Sequence, residues 1–206
     1  MGVTVQEQQG TPAVRFDEFV ADNGIAAAPA DQFDGFAVSV ILPPDWALLD
    51  VEPYNTVPGT RAWAWPADPC IERHHFGANA VLSMSVVEAS LDPAEVFAML
   101  CEWQLHMVGD THERRRALEP ATEGPGVVGT LMMEITTSEY GPVASVSRTR
   151  IIPAGEQTLI AQLTITALLD SPIDKAHIAL IVAPGDAAGP APVGYGGAFS
   201  GELEGR

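Results

Sequence analysis

Arginine is the residue type in this chain whose number and spacing best suit recognition chemistry. Nine arginines and one lysine stand against 27 acidic residues, yet Arg114, Arg115, Arg116, Arg148 and Arg150 fall in two short segments. In an extended segment, Arg114 and Arg116 share a face and Arg115 opposes them; Arg148 and Arg150 also share a face. If the two segments are neighbours in a sheet, these side chains form one basic strip. Guanidinium groups grip carboxylates and phosphates in a two-pronged fashion, so such a strip suits an acidic or phosphorylated partner. The plainer alternative is cross-strand pairing with acids such as Glu113 and Glu134. A second candidate surface is aromatic. Trp63 and Trp65 lie in a short, loop-flanked segment, where one of them can stay exposed and anchor a partner or stack on a sugar. Trp46 and Trp103 are expected in the core, and Tyr54 completes the aromatic set.

The histidines carry less. His74 and His75 are adjacent, so in a strand they point to opposite faces and do not share a metal. Glu72 and His74 could share a face, but a zinc site would need a third ligand such as His112, and nothing in the spacing demands it. They read as surface loop residues. No Gly-x-Ser-x-Gly elbow, Cys-x-x-Cys pair or nucleotide-binding glycine loop following a strand is present. The sequence therefore calls for no cofactor, no metal and no catalytic residue. Cys70 and Cys101 are expected to be free thiols, Cys101 as a small buried hydrophobe in a helix.

Charge excludes further classes. A formal net charge of -17 opposes binding to nucleic-acid phosphates and to anionic lipid. No apolar run is long enough to span a membrane as a helix, so no membrane insertion is expected. The first ten residues have no basic-then-apolar signal pattern, and Gln6 stands where myristoylation wants Ser or Thr. A cytoplasmic, unlipidated protein is expected, with export by an unusual route left open.

The elements that must position these residues follow from periodicity. Residues 1–13 are expected to be a flexible start. Phe16, Phe19 and Val20 mark a short helix over 14–22. Residues 26–34 read as linker. Alternation predicts strands at 36–42, 61–65 and 80–87, with an irregular stretch over 66–78. Asp92-Pro93-Ala94-Glu95 is a helix start, and Val96, Met99, Leu100, Trp103 and Met107 give that helix its apolar stripe to about residue 108. Strands follow at 111–118, 127–137, 143–152 and 158–168; their short turns at Gly141-Pro142 and Pro153-Ala154-Gly155 demand antiparallel pairing. A final helix is expected over 171–182, docked through Ile173, Leu180 and Ile181. Residues 184–206, rich in Gly, Pro and Ala, read as a disordered acidic tail.

Several of these segments resemble the LpqN/LpqT family of actinobacterial proteins. The residues concerned are Phe36 to Trp46, Phe76-Gly-Ala-Asn-Ala-Val81, Asp92-Pro93 before the helix, and Arg148-Thr-Arg-Ile-Ile with Thr158 to Leu168. The resemblance covers residues 12–183. It implies a single Mog1/PsbP-like α+β domain over 14–183: a twisted antiparallel sheet of about six or seven strands with helices packed around it. The family's named members are exported lipoproteins; this chain shows no signal pattern or lipobox, and has Gly77-Ala78 where a proline is usual. The resemblance also implies a non-enzymatic binding or adaptor role, with a protein partner or a small amphipathic ligand. The alternative is a small hydrolase or sugar-modifying enzyme using a histidine of the 72–76 loop. Oligomeric state is left open.

Overall fold

The computed structural model describes residues 14–50, 59–107, 110–122 and 124–185. The expectations for residues 1–13, for Tyr54 and for the chain beyond residue 185 lie outside the described residues. Among the described residues, no helix is long and apolar enough to cross a membrane.

Four long strands form the frame: β6 (Asp110–Pro120), β7 (Val127–Thr137), β8 (Gly141–Ala154) and β9 (Gln157–Leu168). They make the expected antiparallel meander, β9 pairing with β8 from Leu168 opposite Val143 to Gln157 opposite Ala154. On the far side of β9 lies β5 (Asn79–Val87), then β4 (Arg61–Ala64) and the short β3 (Ala47–Leu48). β1 (Ala27–Pro29) also pairs with β5, which makes the sheet eight-stranded. Its register sets Ala27 opposite Val87, so the stretch read as linker holds a three-residue edge strand. Three residues with one proline give too short a pattern to signal a strand; the free edge of β5 supplies the pairing.

Side chains alternate between the two faces of this sheet, and both faces are covered. On one face lie α1 (Phe16–Asp22) and α3 (Pro93–Met107). Asp92 caps α3 as its sequence indicates, its Oδ1 accepting the Ala94 N–H at 2.8 Å. The buried face of α3 is Val96, Phe97, Leu100, Cys101 and Gln104, packed toward Leu131, Ile151 and Ile160. The stripe is thus rotated from the expected one, and Trp103 is half-buried at its margin. The cause is Gly129 of β7: a Cβ there would collide with the Phe97 ring, so the bare backbone admits Phe97 and sets how the helix lies. Arg116 of β6 holds the same helix, pairing with Glu102 at 2.9 Å and with its own neighbour Glu113 at 2.7 Å. Burial alone would lower the Arg116 pKa, but the hydrogen bonds to Glu113 and Glu102 outweigh it and keep it raised.

The opposite face is covered by a two-stranded ribbon, β2 (Phe36–Ile41) and β10 (Ala179–Pro184), with Ala179 opposite Ile41 and Pro184 opposite Phe36. Val38, Val40, Leu180 and Val182 pack there on Ala80, Leu82, Leu163 and Ile165. The expected final helix over 171–182 is therefore corrected to a tight turn at Lys175–His177 followed by a strand running through Pro184. A short apolar run such as Ile178 to Val182 fits either element, and the unpaired β2 decides for the strand. The stretch over 66–78 is also more regular than expected, holding a one-turn helix, α2 (Cys70–His74).

Gly129→Ala is expected to cost about 1–3 kcal/mol by overpacking against Phe97. Urea unfolding measures it, and the double variant Gly129→Ala/Phe97→Leu should recover part of the loss. An unchanged midpoint for the single variant contradicts the close approach.

Candidate functional site

The structure separates the arginines. A register shift in β6 between Glu113 and Arg115 inserts an extra residue, so the strict alternation that would align Arg114 with Arg116 fails. Arg114 turns to Glu134 in an ion pair on the ribbon side of the sheet. Arg116, opposite Leu131, faces α3. The single strip expected from spacing is thus corrected: Arg114 and Arg116 occupy opposite faces and each is neutralised by acids. Arg148 and Arg150 do share a face, but Arg150 is 4 % exposed and donates to the Val127 carbonyl at 3.2 Å, while desolvation lowers its pKa. Arg115, opposite Met132, is on the ribbon side with Arg148. There the two arginines and Lys175 line a groove of about 340 Å³ with Val128, Thr130 and Glu119.

The tryptophans divide similarly. Trp63, opposite Ala80, packs into the ribbon-side core, and Trp46 packs beside the same cluster. Trp63 and Trp65 are both half-buried, so neither stands out as the exposed platform the sequence allowed.

His74 closes α2, and His75 follows it in the left-handed region at φ 55°. Glu72 and His74 stand two apart on a helix, not a strand, and so diverge. His74 Nε2 lies 3.8 Å from Asp170 Oδ2, which Arg73 already holds at 2.7 Å. Among the described residues no three His, Cys, Asp or Glu side chains are grouped as metal ligands. The group that organises this loop is Asp68, 3 % exposed. Its carboxylate accepts the N–H groups of Cys70 (2.9 Å) and Ala78 (2.8 Å) and the Ser171 hydroxyl (3.0 Å). Desolvation pushes its pKa up, but these bonds outweigh burial and leave it lowered. Beside it the Cys70 thiol, fully buried, is pushed up to about 11 by desolvation and its acidic neighbours. A thiol so placed is inert at neutral pH.

The feature that sequence reasoning missed is a groove of about 440 Å³ on the helix side. Its floor is Ser83 and Ser85 of β5 with Ile160 and Gln162 of β9; its walls are Phe16 of α1, Leu100 and Trp103 of α3, and β1. The floor continues into a polar ladder: Gln162 donates to Thr149 at 3.0 Å, and the Ser147 and Thr164 hydroxyls are 3.1 Å apart. The signal in the sequence was the run of Ser, Thr and Gln on one side of two long strands, a pattern equally fit for plain solvent exposure. What encloses it is β1 and α1, two short elements whose placement no periodicity announces.

No protein-family model matches the sequence, and no curated protein matches it. Among solved structures, the chain is similar to LpqN of Mycobacterium tuberculosis, a protein involved in cell envelope biogenesis, with a TM-score of 0.60 and 20% identity over 78% of this chain and 88% of that one. It is also matched by the Ran-binding protein Mog1p of Saccharomyces cerevisiae, with a TM-score of 0.35 and 11% identity over 68% and 74% of the two chains. The fold is an LpqN-like α+β fold, as the sequence motifs led one to expect.

Because the folded Asp68 carboxyl titrates below its ordinary 3.8, its stabilisation is whole above that value and is lost as pH falls through the lower folded value. Asp68→Asn turns one acceptor into a donor against buried N–H groups and is expected to cost about 2–3 kcal/mol at neutral pH. It should also flatten the acid limb of a melting-temperature profile. Retention of the wild-type acid limb would show that another carboxylate carries it.

Proposed function

We propose that this chain is a non-enzymatic binding domain that takes a small amphipathic ligand in the groove between α1, α3 and the sheet. The observation that carries this reading is the division of that groove. Phe16, Leu100, Trp103 and Ile160 offer apolar surface, while Ser83, Ser85 and Gln162 offer hydroxyl and amide partners from the floor. Such a site favours a molecule with an apolar body and an uncharged polar group, since apolar walls reward burial and a few fixed polar groups set orientation. The volume, about 440 Å³, is in the range of small-molecule sites. LpqN, whose fold this chain shares, is involved in cell envelope biogenesis, and on that likeness the proposed binding role is placed in envelope-related processes.

The hydrolase alternative rests on the 72–76 loop. His74 is 40% exposed and meets an aspartate already held by Arg73, and neither groove described above draws a lining residue from that loop. An acid–base catalyst needs a neighbouring place for a substrate, so the loop gives that alternative no support.

The test uses N-phenyl-1-naphthylamine, an uncharged amphipathic fluorophore. The full chain should bind it saturably at one site. Ser83→Phe, which fills the groove from its exposed floor edge, should abolish the signal. Trp103→Ala should weaken binding about tenfold, or 1.4 kcal/mol. Because Trp103 lies at the margin of the core, its loss should leave cooperative melting intact. Absence of saturable binding, or binding indifferent to both substitutions, removes this reading.

A further inference from the structure

On the ribbon side of the sheet, away from the amphipathic groove, three cations converge, none of them in an ion pair among the described residues. Of the ten basic residues, Arg15, Arg73, Arg114 and Arg116 are each in ion pairs with carboxylates. Arg115, Arg148 and Lys175, the sole lysine, make no such pair among the described residues, and all three line one groove of about 340 Å³. Glu119 is the acid on the groove wall, so the lining residues themselves carry a surplus of two positive charges, while Asp68 and Asp174 act on Lys175 from outside the lining.

The donor geometry of Arg148 suits an anion. The Arg148 Nε–H is buried and has no hydrogen-bond partner. Its fork is tethered by one long bond, from Nη2 to the Lys175 carbonyl at 3.3 Å. A covered, unpartnered N–H on a charged group is costly, and a small turn of the fork toward an anion in the groove would satisfy it. Burial meanwhile lowers the Lys175 pKa although Asp68 and Asp174 act to raise it, so a bound anion would restore what desolvation removes. Thr130 adds a hydroxyl at the groove wall.

We propose that the groove formed by Arg115, Arg148 and Lys175 binds a phosphoryl dianion, the phosphate monoester of a small molecule or of a lipid headgroup. A surplus of two positive charges matches a phosphate monoester, which carries between one and two negative charges at neutral pH. The two guanidinium groups supply the planar donors that phosphate oxygens accept, and the lysine adds a point charge. The site is independent of the amphipathic groove, and either can fail without the other.

The experiment is calorimetric titration of the full chain at constant ionic strength. Inorganic phosphate and glycerol 3-phosphate test the free ester; phosphatidylcholine vesicles containing phosphatidate test the headgroup. Saturable one-site binding in either arm supports the proposal, and the arm that binds identifies the source. Arg148→Gln and Arg115→Gln should each weaken binding about tenfold or more. Arg115 is exposed, so its substitution should leave the melting temperature unchanged even if Arg148→Gln unsettles the fold. Arg15→Gln, the same charge change at the residue that precedes α1, should have no effect. Failure of both arms, equal binding of succinate, or affinity unmoved by both arginine substitutions overturns the proposal.

Discussion

The structure depends on a single constraint: strands β8 and β9 are buried on both faces. Leu163, Ile165 and Ala161 face one way and Ile160 and Leu168 the other, all nearly inaccessible to solvent. A two-sided apolar sheet cannot remain open to water, because each exposed face would lose the burial that stabilises it. Every other element answers that demand. α3 covers one face and the β2–β10 ribbon covers the other, while the polar strip of Ser, Thr and Gln marks where the first cover ends. Both grooves lie at the limits of these covers. The amphipathic one opens beside α3, and the cationic one opens beside the ribbon where Arg148 and Lys175 emerge.

The charge distribution follows the same logic. With so many acids, an arginine is most easily stabilised by a neighbouring carboxylate, and Arg114 and Arg116 take that course. The bulge in β6 sends them to opposite faces and leaves Arg115 on the ribbon side, next to β7, whose positions on that side are Val128, Thr130 and Met132. No acid other than Glu119 lines that groove. A local backbone irregularity thereby converts a run of three arginines into two structural ion pairs and one recognition group. Asp68 performs a comparable conversion in the 66–78 loop. By accepting from Cys70, Ala78 and Ser171 it ties α2 to the start of β5 and to the segment after β9. A conspicuous His-His sequence then becomes the outer surface of a structural clasp.

Much of the frame was legible from the residues alone. The long strands of the meander alternate cleanly and are joined by short turns, at 138–140 and at Gly155-Glu156. These turns fall within one to three residues of the expected Gly141-Pro142 and Pro153-Ala154-Gly155 signals, and Asp92-Pro93 starts α3 where its chemistry says it should. Periodicity and capping are local properties, so sequence suffices for them. The LpqN-like arrangement was readable for the same reason, since its motifs are strand ends and helix starts. What the sequence left undetermined is what depends on partners distant in the chain. Ile178 to Val182 could be helix or strand until β2, about 140 residues earlier, offered an edge to pair with. The rotation of α3 depended on a missing Cβ at Gly129, a vacancy visible only once β7 lies beneath Phe97. The faces taken by Arg114, Arg115 and Arg116 depended on a one-residue bulge, which reverses every later side chain of the strand. The sequence determined which elements form and in what order; tertiary pairing decided which side chains meet, because those meetings are set by long-range register and cover rather than by local spacing.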